Sequence, residues 1–100
     1  MKLKDLLKQQ VNKVEKRTIT LPNADGKADE CDIYVKVMSC GEVESFAEGN
    51  IGRQQVALTI LDEKHKPIFT VDELREIPYD IYIQLVSASN EVNGVGKIAP

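Results

Sequence analysis

No stretch of this 100-residue sequence approaches the roughly 20 consecutive apolar residues of a membrane-spanning helix. The opening MKLKDLLKQQ also lacks the apolar core and small-residue cleavage site of a secretory signal. Both absences point to a cytosolic protein. Positive charge is short as well: 13 Lys and Arg stand against 16 Asp and Glu, a net charge of -3 with a sequence pI of about 5.1. Without an overall positive field, the phosphate neutralisation that drives nucleic-acid affinity loses its main source. Basic residues do gather near the start (Lys2, Lys4, Lys8, Lys13, Lys16, Arg17), but acidic residues interrupt them and no aromatic lies among them for base stacking. They read as the solvated face of a helix.

Metal-binding and redox residues are equally sparse. Cys31 and Cys40 have neither C-x-x-C spacing nor a secretory context, which favours two buried, reduced thiols over a disulfide or a zinc half-site. His65 is the only histidine, and a zinc site would have to gather it with both thiols and a carboxylate from distant loops. It sits in a Lys-rich turn with no Ser or Cys beside it, so no nucleophile-base pair stands out and no enzyme is expected. No cofactor or metal is called for. Repeats and low-complexity segments are missing too, and the 42% hydrophobic content suits one modest core burying about two thirds of the unfolded surface.

What is present is pattern. Leu3, Leu6, Leu7, Val11 and Val14 fall at helical spacing, so residues 2–15 predict an amphipathic helix that needs a partner surface. RTITL (17–21) and CDIYVKV (31–37) alternate about a turn-rich loop, which predicts a β-hairpin whose apolar face, with Ile33, Val35 and Val37, can cover that helix. A local device then occurs twice. Ser39 precedes Glu42 by three residues with Met38 and Val43 as flanks; Thr70 precedes Glu73 with Phe69 and Leu74 as flanks. Each is a capping box with its hydrophobic staple, so these hydroxyls and carboxylates have a structural role first.

The boxes predict helices over about 40–48 and 71–77, the second broken by Pro78, whose fixed φ suits the first turn of a further helix over YDIYIQLVSASNEV that Gly94 ends. Residues 54–61 fit a strand or a buried helix. Residues 62–67 are a tight reversal whose charges show neither a calcium-loop ladder nor a phosphate cradle. The expected fold is α+β, a mainly helical single domain over residues 1–93 with a small antiparallel hairpin near the N-terminus, followed by a flexible tail at 94–100.

In the last helix Ile81, Leu85, Ala88 and Val92 form one stripe, while Tyr79, Tyr82, Ile83 and Val86 spread apolar surface further round. Two readings stay open: a helix deep in a small core, or the wall of a partner groove, to which the tyrosines are suited. The partner-binding candidates are therefore Tyr79, Tyr82, Ile83 and Val86, in an apolar contact that tolerates salt.

Taken in order, DLL in an N-terminal helix, a strand pair ending IYVKV, S-x-x-E-x-x-x-F, D-E-x-x-K-P-I-F-T-x-x-E-L and a closing helix ending N-G resemble the tail assembly chaperones of long-tailed bacteriophages. The strongest part is 62–74, where relatives typically place an acidic residue and Gly at the positions held here by Lys64 and His65, so a non-glycine residue must make the turn. The resemblance implies a non-enzymatic protein of the host cytoplasm, absent from the mature virion. Such a protein binds the tape measure protein, keeps it soluble and promotes tail-tube polymerisation. It also implies a longer form, made by frameshifting near Gly96-Lys97, that recruits the tube protein. A homo-oligomer is left open. The alternative is a small α+β adaptor or regulatory module that dimerises through its C-terminal helix.

Overall fold

The computed structural model describes residues 2–11, 13–22 and 24–94. In chain order they form helix α1 (Lys2–Gln10), strands β1 (Val14–Pro22) and β2 (Ala28–Lys36), helices α2 (Cys40–Glu44) and α3 (Ile51–Thr59), a two-residue strand β3 (Ile60–Leu61), a 3₁₀ turn (Glu73–Arg75) and helix α4 (Tyr79–Val92). The class is α+β with more helix than strand, and the expected hairpin gains a third strand to make a sheet of order β1-β2-β3.

β1 and β2 pair antiparallel from Val14↔Lys36 to Pro22↔Ala28. Side chains alternate across a strand, so the odd-numbered residues of both share one face. On it Ile19, Ile33 and Val35 are buried, with Leu21 and Val37 half-buried. The even face carries polar side chains: Thr18 donates to Asp32 at 2.9 Å and Lys16 pairs with the same carboxylate at 3.3 Å. Pro22 closes β1 at an outer-edge position, where a missing N–H costs no ladder bond.

α3 and α4 cover the odd face. Val56 and Ile60, Ile81 and Leu85, and Leu74 from the 3₁₀ turn complete the core with the strand residues. Each such side chain contributes roughly 1.5–3 kcal/mol on burial. Between the two helices lies a polar seam, with the buried Thr59 and Ser89 hydroxyls 2.8 Å apart and Gln55 donating to Ser89 at 2.9 Å and Asn90 at 2.8 Å. Among the described residues no buried side-chain nitrogen or oxygen lacks a partner.

Several expectations need correction. The first helix ends at Gln10 because Val14 and Glu15 begin the nine-residue pairing with β2, which satisfies their backbone over a longer run. Nor does the sheet cover α1, since α3 and α4 occupy that face and no residue of α1 is buried. α2 stops at Glu44 because Gln54 captures the N–H and C=O of Ala47 at 2.9 and 2.7 Å, taking that backbone out of helical bonding. The stretch 71–77 yields only a 3₁₀ turn, too short to propagate an α-helix before Pro78 forces an extended residue. Residues 54–61 divide: helix to Thr59, then Ile60 and Leu61 pair with Val35 and Tyr34. The tail at 95–100 lies outside the described residues.

Candidate partner-binding surface

Both capping boxes are present as reciprocal hydrogen bonds. The Glu42 amide donates to Ser39 Oγ at 3.1 Å and the Ser39 amide to Glu42 Oε1 at 2.9 Å. Glu42 has a second partner, Lys36 Nζ at 2.6 Å, and this bond, followed by that from the Ser39 amide, holds its carboxyl below the usual glutamate range. In the other box the Thr70 amide donates to Glu73 at 2.8 Å and the Glu73 amide to Thr70 Oγ1 at 3.2 Å, although what it opens is the 3₁₀ turn. All four residues therefore serve the scaffold.

The turn at 62–66 is scaffold as well. The Asp62 carboxylate accepts the amides of Lys64 and Lys66 at 2.8 and 3.0 Å, bonds that lower its pKa, led by Lys66. His65 takes the left-handed conformation, φ 62°, which favours glycine, and its ring lies 5.6 Å from that of Tyr34. Cys31 and Cys40 are free but exposed, which corrects their expected burial. Cys31 shares the odd face with the core yet is not covered by the helices, while Cys40 is the first residue of α2. Among the described residues no group of His, Cys, Asp and Glu is placed to hold a metal ion.

The partner-binding candidates on α4 divide between two environments. Tyr79 is 75% and Ile83 41% exposed, whereas Tyr82 and Val86 are half-buried and pack against the core. Tyr82 reaches α3 at Gly52, where a Cβ would stand 2.6 Å from its hydroxyl oxygen, so glycine makes room for the ring. Tyr79 and Tyr82 lie with ring centroids 6.4 Å apart and line a cleft of about 430 Å³ with Arg53, Arg75, Leu74 and Ile77. Pro78 and the capped turn bring these residues together. The outward part of α4 is thus a narrow ridge, Tyr79 and Ile83, beside a cleft with an apolar floor.

A broader apolar surface lies on α1, the helix that the hairpin was expected to cover. Leu3, Leu6, Leu7 and Val11 of α1 and the residue after it are between 51% and 67% exposed. Their stripe is plain in the sequence; that it stays uncovered depends on what else occupies the sheet.

A family model described as phage tail assembly chaperone, TAC, matches residues 3–93. The chain belongs to that family. The match spans every element from α1 to α4, so it embraces the hairpin, both caps and the α4 ridge. Neither a curated protein nor a solved structure gives a match. Membership makes the chain a phage tail assembly chaperone, which implies binding to tail proteins. Among its described residues no helix is long and apolar enough to cross a membrane.

Proposed function

We propose that this chaperone binds the tape measure protein through the outward side of α4, keeps that protein soluble in the host cytoplasm, and promotes polymerisation of tail-tube subunits around it before leaving the assembling particle. A longer form, made by frameshifting near the codons for Gly96-Lys97, would recruit the tube protein. The observation that carries the α4 assignment is the Tyr79–Ile83 ridge beside the cleft of Tyr82, Leu74 and Ile77, an apolar anchor next to an apolar recess. A long helical partner presents side chains at i, i+3, i+4 and i+7, which suits a ridge and groove of this kind.

The test is co-expression with the tape measure protein of the same phage, followed by separation of soluble and pelleted material. Wild type should hold the partner in solution, and a Tyr79→Asp, Ile83→Asp pair should release it to the pellet. Both side chains point outward, so the variant should keep its circular dichroism spectrum; Tyr82→Asp would not be a clean probe, because Tyr82 packs against the core and α3. A folded variant that still holds the partner would remove this face from consideration. Failure of the wild type to hold it would overturn the tape measure reading.

A further inference from the structure

We infer that α1 is a second docking surface, separate from the α4 ridge, and that its occupant is an acidic amphipathic helix of a partner protein. The stripe of Leu3, Leu6, Leu7 and Val11 has the spacing of a helix-helix seam, and no residue of α1 is buried against its own domain. A nine-residue helix is marginal in water by itself, so an apolar stripe left open on one is stabilised by whatever covers it. At its base the stripe runs into a groove of about 400 Å³ that Leu7 and Val11 line with Val37, Met38 and Cys40; its polar lining is Gln10, Ser39 and Glu42, the last already paired with Lys36.

Charge selects the occupant. At 100° per residue Lys4 and Lys8 border the stripe on one side and Lys2 on the other, while Asp5 lies at the back. These are the flanking positions that set partner choice between paired helices, and among the described residues none of the three lysines has a carboxylate within ion-pair distance. The helix is thus locally positive in a chain of net charge -3. Two copies of α1 laid together would set lysines beside lysines. A lipid surface would meet the helix but not the recessed Val37 and Met38, and the stripe has no aromatic side chain to sit at a headgroup layer. A helix with leucines on one stripe and glutamates at its borders satisfies both the groove and the lysines.

The probe is a pair of synthetic amphipathic peptides with the same leucine stripe, one bordered by Glu and one by Lys, titrated into the full chain by fluorescence anisotropy. The Glu peptide should bind at least about tenfold more tightly than the Lys peptide, and more weakly as ionic strength rises. Leu3→Ser, Leu7→Ser should abolish binding without moving the thermal midpoint, because neither side chain is buried. Lys2→Gln, Lys4→Gln, Lys8→Gln should erase the preference between peptides. Equal binding of the two peptides, or none of either, would overturn the inference. So would a fall in melting temperature of the leucine variant, which would place α1 in the core. Loss of a dimer on sedimentation of that variant would assign the stripe to a second copy, and binding to anionic vesicles in place of the peptide would assign it to lipid. Tyr79→Asp, Ile83→Asp should leave peptide binding unchanged, which separates this surface from the α4 ridge.

Discussion

The side-chain amide of Gln84 on α4 is bonded to both backbone groups of Thr20 on β1: the Thr20 N–H donates to Gln84 Oε1 at 2.8 Å, and Gln84 Nε2 donates to the Thr20 carbonyl at 2.8 Å. One carboxamide stands where a neighbouring strand would pair, closing the outer edge of the sheet at that point. Asn93 makes a second amide bridge just where β2 ends, accepting from the Met38 amide at 2.7 Å and donating to the Lys36 carbonyl at 3.2 Å. The two amides fasten both halves of α4 to the hairpin.

Gln84→Ala should therefore lower stability by about 1–2 kcal/mol in urea titration. Gln84→Glu should lose a similar amount, since a carboxylate accepts from the Thr20 amide but cannot donate to its carbonyl. Faster hydrogen exchange at the Thr20 amide should accompany both. Unchanged stability and exchange would mean that water replaces the clamp at no cost.

Acid should weaken the fold partly through Glu42. Its folded pKa is depressed, so ionised Glu42 contributes stability above the ordinary glutamate range, and that contribution is lost as pH falls through the depressed value. Asp32 and Asp62 are depressed as well, by Thr18 and by the Lys66 amide first. Glu42→Gln should flatten, without abolishing, the decline of thermal midpoint with falling pH. A profile of unchanged slope would show that Glu42 bonds equally well in the unfolded chain.

Gly52 and Tyr82 should be energetically coupled. Gly52→Ala gains about 1 kcal/mol of helix propensity, but its methyl group meets the Tyr82 hydroxyl, so the single change should be near neutral or destabilising. In a Tyr82→Phe background the same substitution should recover most of that gain. A double-mutant cycle measures the difference, and additive effects would place Tyr82 elsewhere in solution.

His65→Gly should be neutral or stabilise by up to about 1 kcal/mol, because glycine takes positive φ without strain while the ring contact with Tyr34 is lost. His65→Val should cost more than about 1 kcal/mol by the same logic. The two denaturation midpoints must fall on opposite sides of, or straddle with one at, the wild-type value; a Val variant as stable as wild type would mean the turn has re-formed.

Legibility followed the range of the interactions concerned. The hairpin, both capping boxes and the α4 core stripe of Ile81, Leu85, Ala88 and Val92 could be read in advance, since each depends on a repeat or a pairing within a few residues; the non-glycine turn at residue 65 was implied only by the family resemblance. The amide clamps could not. Gln84 and Asn93 look like solvent-facing residues until α4 is laid on the sheet, 64 and 55 positions away from the backbone they hold.

The sequence by itself determined the local elements: alternation set which face of β1 and β2 is apolar, and Ser39–Glu42, Thr70–Glu73 and Pro78 set where α2, the 3₁₀ turn and α4 begin. Tertiary structure decided which of several apolar faces would be covered. The hairpin offers one apolar face, and α1, α3 and α4 all carry apolar side chains suited to it. α3 and α4 fill it together through Val56, Ile81 and Leu85, joined by Ile60 of β3, with the Thr59–Ser89 seam between the helices. That leaves Leu3, Leu6 and Leu7 in solvent, draws Tyr82 and Val86 inward and leaves Tyr79 and Ile83 outside. Competition for a finite buried area involves the whole chain at once, so no local pattern records its outcome.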